Sequence, residues 1–299
     1  MKNFRLKNLD ILESKETLAR LPKGKLLINT INAHSYNTAL KDELFAEALM
    51  KGDVLIPDGA SIVMACRWLK AKSRPKERIA GWDLFVYEMG KLNVESLGLR
   101  GEGDSSRAQN DKTDDNGNDN GNVDGLGLSV EGDSSQTQNV ESLGFRGERR
   151  GKKRVMFMGS SEKVLALIKE RAAVDYPNVE VVTYSPPYKP EFTDEENAEM
   201  VRAINEAKPD LLWIGMTAPK QEKWTYKHWG ELDIDCHVGT IGAVFDFYAG
   251  TMKRAPLWWQ EHSLEWLYRL LKEPKRMWRR YLVGNVLFMW NVIKLKVKS

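Results

Sequence analysis

The sequence predicts an α/β fold, a parallel sheet sandwiched between helices, followed by a basic and aromatic helical appendage. Three observations carry this expectation. Short apolar runs alternate with helical patterns along most of the chain, the alternation stops after Asp246, and one internal stretch lacks the large apolar residues that a core needs. The 299 residues are 42% hydrophobic, which suits one large domain or two ordinary ones.

The strand candidates are KLLINTI (25–31), DVLIP (53–57), RVMFM (154–158), VEVVTY (179–184), DLLWIG (210–215) and DCHVG (235–239). Helical patterns lie between them at roughly 36–50, 60–70, 82–92, 161–173, 194–207 and 219–229. Strands that alternate with helices pair in parallel, so residues 1–93 and 151–255 are expected to form a Rossmann-like parallel-sheet sandwich. The remainder, 256–299, reads as helices over 257–272 and 274–296, with Pro256 and Pro274 near the two starts.

Residues 94–150 interrupt this order. NVESLGLRGE at 93–102 recurs as NVESLGFRGE at 139–148, and GDSSRAQN at 103–110 recurs as GDSSQTQN at 132–139. A Gly-, Asn-, Asp- and Ser-rich stretch buries too little apolar surface to offset the entropy of ordering it, so a disordered insert is expected. Lengthening a surface loop costs little.

The formal net charge is only +3, yet Lys253, Arg254, Arg269, Lys272, Lys275, Arg276, Arg279 and Arg280 gather near the C-terminus. They are interleaved with Trp258, Trp259, Trp266, Tyr268 and Trp278, a composition suited to lipid headgroups or nucleic acid, or to a solvated helix face with core tryptophans. The longest apolar stretch, Tyr281 to Ile293, is broken by Gly284 and Asn285 and falls short of the ~20 residues that span a bilayer. No signal peptide is visible at the N-terminus. Cys66 and Cys236 stand apart without a metal or disulfide pattern, which fits a reduced compartment.

In open parallel sheets, ligands sit beyond the carboxyl ends of the strands. Those positions here are Thr30 and Asn32, Pro57-Asp58-Gly59, Gly159-Ser160, and Met216 to Glu222. Asp58 is either a turn residue capping the next helix or a carboxylate placed to take a proton from a substrate hydroxyl. Lys220 and Gln221 open a helix, where a Lys suits a phosphate and a Gln a sugar hydroxyl, or both lie on a solvated first turn. The FMGSSEK loop has neither a dinucleotide nor a P-loop fingerprint. The four histidines are scattered and read as structural or exposed.

Taken in order, TIN (30–32), PDGAS (57–61), ERIAGWDLF (77–85), FMGS (157–160), APKQE (218–222), VGTIGAVFDFYAGTMKRAPLWW (238–259) and EWLYRLLKEPKRMWRRY (265–281) resemble the WecG/TagA/CpsF family, glycosyltransferase family 26. One position departs from it, since the family commonly has a Gly where this chain has Thr217 or Ala218 before PKQE. The resemblance implies an inverting hexosyltransferase on the cytoplasmic membrane face of a bacterium. It would move an N-acetylmannosamine-type sugar from a UDP-sugar to an undecaprenyl-diphosphate-linked acceptor. Asp58 then matches the general base, Thr30, Asn32 and Gln221 match pocket positions, with Thr30 and Gln221 counted beside Asp58 in the catalytic set, and Arg78 matches a pocket arginine. Asp246 matches a nucleotide-side position, and Arg269, Arg276 and Arg279 match appendage arginines that reach the diphosphates. Gly159, Ser160 and Lys220 join the substrate-binding set from their strand-end positions.

No compact DxD is present, and DEE at 194–196 reads as a helix cap, so metal-independent catalysis without a cofactor is expected, with arginines stabilising the leaving UDP. The expected partners are the donor, the lipid-linked acceptor, the membrane surface and a homo-oligomeric copy, but no nucleic acid. An inactive membrane-associated binding module of the same fold is the rival reading. Replacing residues 95–149 by a short Gly-Ser linker is expected to leave stability and activity nearly unchanged. A large drop in melting temperature would show instead that the insert packs.

Overall fold

A computed structural model describes residues 4–97, 152–262 and 264–297; the repeat-containing stretch from residue 98 to 151 lies outside the described residues. One sheet holds six strands, β1 (Leu26–Ile31), β2 (Val54–Pro57), β3 (Lys153–Gly159), β4 (Val179–Tyr184), β5 (Leu211–Gly215) and β6 (His237–Thr240), in the order β2-β1-β6-β5-β3-β4. Every pairing is parallel, so all six carboxyl ends open on one edge. This is the Rossmann-like sandwich that the alternating pattern predicts.

The twelve α-helices among the described residues are α1 (Ala33–Ala39), α2 (Glu43–Lys51), α3 (Ala60–Trp68), α4 (Gly81–Glu95), α5 (Glu162–Asp175), α6 (Asp194–Ala207), α7 (Lys220–His228), α8 (Gly242–Tyr248), α9 (Leu257–Glu261), α10 (Glu265–Lys272), α11 (Pro274–Trp278) and α12 (Gly284–Val297). The helical pattern at 36–50 is thus two helices. Asp42 divides them because its carboxylate accepts the Phe45 N–H at 3.0 Å and restarts the helix as an N-cap. A π-helical turn, Arg279–Val283, joins α11 to α12. Helix α4 runs to Glu95, past the expected start of the insert, and the Lys153 N–H donates to Ser96 Oγ at 3.2 Å, which brings the two flanks of the undescribed stretch together.

Alternation along the strands builds a core on each face of the sheet. Val155 and Phe157 of β3 and Leu211 and Trp213 of β5 pack with Leu84, Phe85 and Met89 of α4, Ile168 of α5 and Phe245 of α8. Met156 and Met158 of β3 and Leu212 and Ile214 of β5 face the other way, onto Met200 and Ile204 of α6 and Trp224 of α7. Each large side chain so buried contributes about 1.5–3 kcal/mol.

A further cluster joins α1, α2 and α3 to the far end of the chain. Phe288 and Val292 of α12 are fully buried there, with the Phe288 ring edge-on to Tyr36 at 5.6 Å. Asn37 Nδ2 donates to the Gly284 carbonyl at 2.7 Å, and Asn291 Nδ2 donates to Asn37 Oδ1 at 3.2 Å. The end of the appendage is therefore anchored in the core. Its outward face carries Val286, Met289, Trp290, Ile293 and Val297, all exposed, at the spacing of one helical stripe. No helix among the described residues is long and apolar enough to cross a membrane.

Phe288→Ala should cost about 3–5 kcal/mol through the cavity it leaves. Trp290→Ala, on the opposite face, should change stability by no more than about 0.5 kcal/mol. Equal urea midpoints for the two variants would show that α12 is not anchored through Phe288.

Candidate active site

Asp58 follows the last residue of β2, and its N–H donates to the carbonyls of Ile31 at 2.9 Å and Ile56 at 3.1 Å, which fixes it beside the end of β1. The capping alternative is not what the geometry shows. Helix α3 begins with Gly59 at its N-cap and no side-chain cap, and the Asp58 carboxylate turns instead toward Arg78, with Nε 3.9 Å from Oδ1.

Arg78 leads on to a residue that the sequence reading does not single out. Its Nη2 donates to Glu265 Oε2 at 3.0 Å, and Glu265, at the first turn of α10, is only 8% exposed. Arg269, one turn along, donates from Nη2 to Glu265 Oε1 at 2.9 Å, and Arg254 Nη2 lies 4.0 Å from Oε2. Two of these guanidiniums also rest on rings, Arg254 over Trp82 at 4.8 Å and Arg269 over Phe247 at 4.7 Å. A recess of about 500 Å³ beside them is lined by Arg78, Arg254, Lys15, Lys76, Met64 and Gln260, among others.

The electrostatics follow from burial. Withdrawal from water pushes the Asp58 carboxyl up to about 6; Arg78, Arg269 and Arg280 pull it down, and Glu265 pushes it up. The side chain keeps 32% of its surface and is therefore within reach of solvent. Burial also works against the charge of Glu265, but Arg269, Arg78 and Arg254 outweigh it and hold that carboxyl below its usual range. Four guanidiniums thus act around two carboxylates, leaving two positive charges uncompensated among these six groups. Arg254 Nε and Arg280 Nε are buried without a hydrogen-bond partner.

The other expected site residues fall into distinct places. Thr30 is half-buried and pairs with Ile56 of β2. Asn32 caps α1, its Oδ1 accepting the Ser35 N–H at 3.0 Å, so part of its polar capacity is spent on the helix. Gln221 is 4% exposed, and its Oε1 accepts from the N–H groups of Met216 at 3.1 Å and Gly242 at 3.2 Å. It therefore ties the loop after β5 to the start of α8. Its Nε2 donates to Glu222 Oε1 at 2.9 Å, while Glu222 Oε2 has no partner and burial raises that carboxyl to about 7. Lys220 Nζ is turned to the Lys189 carbonyl and the Phe192 ring.

Gly159 has a packing reason for its type. Gly159 takes a left-handed φ of 122° against the Gly215 backbone, and Ser160 N donates to the Gly215 carbonyl at 3.0 Å. Asp246 sits on α8, with Thr251 Oγ1 donating to its carbonyl at 3.1 Å and its carboxylate at 3.3 Å.

Of the three appendage arginines, Arg269 reaches the cluster. Arg279 is exposed, its guanidinium 5.3 Å from the Trp278 ring centre, and the Arg276 side chain lies outside the described residues. Arg280, its neighbour on the π-turn, is the one whose charge acts on Asp58. Sequence reading thus misses Glu265, Arg254 and Arg280. The one local signal is the four-residue spacing of Glu265 and Arg269 on a helix, which pairs opposite charges.

DEE at 194–196 is a helix start: Thr193 and Glu196 form a reciprocal capping box ahead of α6. Among the described residues, no three His, Cys, Asp or Glu side chains are grouped to hold a metal. His237 is buried between Glu88 at 2.9 Å and the Pro22 carbonyl at 2.8 Å, in line with a structural histidine.

A Cβ added to Gly215 would stand 2.5 Å from the Phe245 ring. Gly215→Ala is therefore expected to lower stability by about 1–3 kcal/mol through overpacking. An unchanged urea midpoint would show that Phe245 yields freely.

Among proteins of similar sequence, the N-acetylglucosaminyldiphosphoundecaprenol N-acetyl-beta-D-mannosaminyltransferase of Bacillus subtilis (strain 168) is 24% identical over 256 residues, covering 86% of this chain and 75% of that protein. The protein of the same name from Bacillus spizizenii is 27% identical over 261 residues, covering 87% and 76%. Another of that name from Staphylococcus aureus (strain MW2) is 30% identical over 145 residues, covering 48% and 54%. The sequence model of the glycosyl transferase WecG/TagA/CpsF family matches residues 2–101 and 126–299. With a match of that extent, the chain belongs to the WecG/TagA/CpsF family of glycosyl transferases.

Proposed function

We propose that the protein transfers an N-acetylmannosamine-type sugar from a UDP-sugar to an N-acetylglucosaminyl-diphospho-undecaprenol acceptor, with inversion and with Asp58 as general base. The observation that carries this reading is the Asp58 carboxylate, fixed just beyond β2, partly exposed, with Arg78 3.9 Å away and the charges of Arg269 and Arg280 acting on it. The names of the relatives supply the sugar and the acceptor.

The chemistry needs few groups. As the acceptor hydroxyl attacks the anomeric carbon, its proton passes to an Asp58 oxygen, while the bond from that carbon to the UDP oxygen breaks. Negative charge grows on the departing diphosphate, and preformed guanidinium donors beside the recess stabilise it there. Arg78, Arg254, Arg269 and Arg280 are the available cations, and a divalent metal is not part of the proposed mechanism. Gln221 and Asn32 contribute by holding the strand-end loops in shape.

The exposed Val286, Met289, Trp290, Ile293 and Val297 stripe, with Lys294 and Lys296 on the same helix, supports docking on an anionic membrane surface. Such docking presents the recess to an acceptor whose prenyl chain stays in lipid.

Asp58→Asn should preserve fold and UDP binding while lowering turnover about a hundredfold or more. Near-normal turnover in that variant would remove Asp58 from the role of base. In the wild-type protein the base must be deprotonated, so kcat should fall as pH drops through about 6 and level off above it. A flat profile between pH 5 and pH 8 would contradict the assignment.

A further inference from the structure

We infer that Glu265 is a positioning residue of the active site: its carboxylate gathers Arg78, Arg254 and Arg269 into one clamp and thereby sets the geometry and the electrostatic field around Asp58. The inference rests on the transferase reading for its kinetic arm only.

Each part of the clamp comes from a different stretch of chain. Arg78 precedes α4, Arg254 follows α8, and Arg269 shares α10 with Glu265. Arginine is a long side chain with a rigid donor fork, and nothing in the separate segments brings three such forks to one point. Glu265 does so with both oxygens, one taking Arg269 and the other taking Arg78, with Arg254 at the edge of reach. At 8% exposure it is withdrawn from solvent, where ion pairs hold geometry better than on a surface.

The partnership is unequal in a useful way. One carboxylate meets three guanidiniums, so each arginine keeps unspent donors; the Arg254 Nε–H is buried and unbonded. A bound diphosphate, with its several anionic oxygens, suits those remaining donors. Arg78 is also the link to Asp58, so the Glu265 bond that fixes Arg78 fixes the cation beside the base. The charged groups acting on Asp58 are Arg78, Glu265, Arg269 and Arg280, and Asp83 of α4 acts on Arg78 and Arg254.

Glu265→Gln in the full chain keeps the side-chain shape and removes the charge. The expected result is a folded protein whose melting temperature is lowered, because three guanidiniums lose their shared counter-charge, with kcat measured well below that temperature lowered about ten- to a hundredfold on a water-soluble diphosphate-linked acceptor, the loss that misplacing reacting groups by an ångström causes. While Arg78 stays beside Asp58, loss of a negative neighbour favours the charged form of that carboxyl, so the acid limb of the kcat profile should move to lower pH; a move to higher pH would show that Arg78 has left the base, which the clamp also predicts. The same shift should appear without turnover, as a moved midpoint of the Asp58 carboxyl resonance in 13C NMR, assigned by its disappearance in Asp58→Asn.

Wild-type kcat together with an unmoved Asp58 titration would overturn the inference, as would a fall in kcat that merely tracks a large loss of melting temperature. If Glu265→Gln does not fold, Glu265→Asp serves, keeping the charge on a shorter reach. A lowered kcat with a changed KM is then expected, and wild-type constants would overturn the proposal. A wild-type protein that transfers no sugar to any such acceptor would sink the transferase reading, while the NMR arm would still decide the role of Glu265.

Discussion

A carboxylate drawn out of water keeps its charge only if its neighbours compensate it, and at this sheet edge the neighbours are arginines carried by separate segments. Asp58 sits where that compensation is incomplete: Arg78 approaches only to 3.9 Å, Glu265 opposes, and burial raises its proton affinity toward neutrality. Glu265 sits where it is more than complete, with hydrogen bonds from two guanidiniums. The same set of cations thus produces one carboxyl that exchanges protons near pH 6 and one that stays ionised. That division of roles, between a group that takes protons and a group that holds cations, follows from position alone.

The parallel sheet makes this arrangement affordable in structural terms. Because all six strands run the same way, their loops converge on a single edge, and the backbones there pack closely. Gly159 lies against Gly215, and Gly215 lies against the Phe245 ring, leaving no room for a Cβ at either glycine. Gln221 then stitches the loop after β5 to the start of α8 with two accepted N–H bonds. A buried amide that fastens two loops limits their drift, and a reaction that depends on ångström-level placement benefits from that stiffness.

The C-terminal helices connect this edge to a surface. One side of α12 enters the core through Phe288 and Val292, and the other presents an apolar stripe to solvent. Upstream on the same run, α10 supplies Glu265 and Arg269 to the site. The segment that suits a membrane is therefore continuous with the segment that completes the cation cluster. Anchoring through α1 gives the run a fixed position relative to Asp58, since α1 begins directly beyond β1, against whose end the Asp58 backbone is bonded.

The sequence by itself determined the sheet and the edge at which its strands end. Strand and helix periodicities are local, so RVMFM, VEVVTY and DLLWIG lead to β3, β4 and β5 within a residue or so, and the motif PDGAS placed Asp58 beyond β2. Capping is local too, which is why DEE reads correctly as a helix start. What only the tertiary structure decided is which charges meet. The partners of Glu265 include Arg78, 187 positions away in sequence, and local periodicity carries no record of that approach. Arg280, on the π-turn at Arg279–Val283, likewise acts on Asp58 from 222 positions away in sequence. The division of α12 into a buried and an exposed face depended on α1 being there to receive Phe288, and long-range packing is decided only when the whole chain has folded.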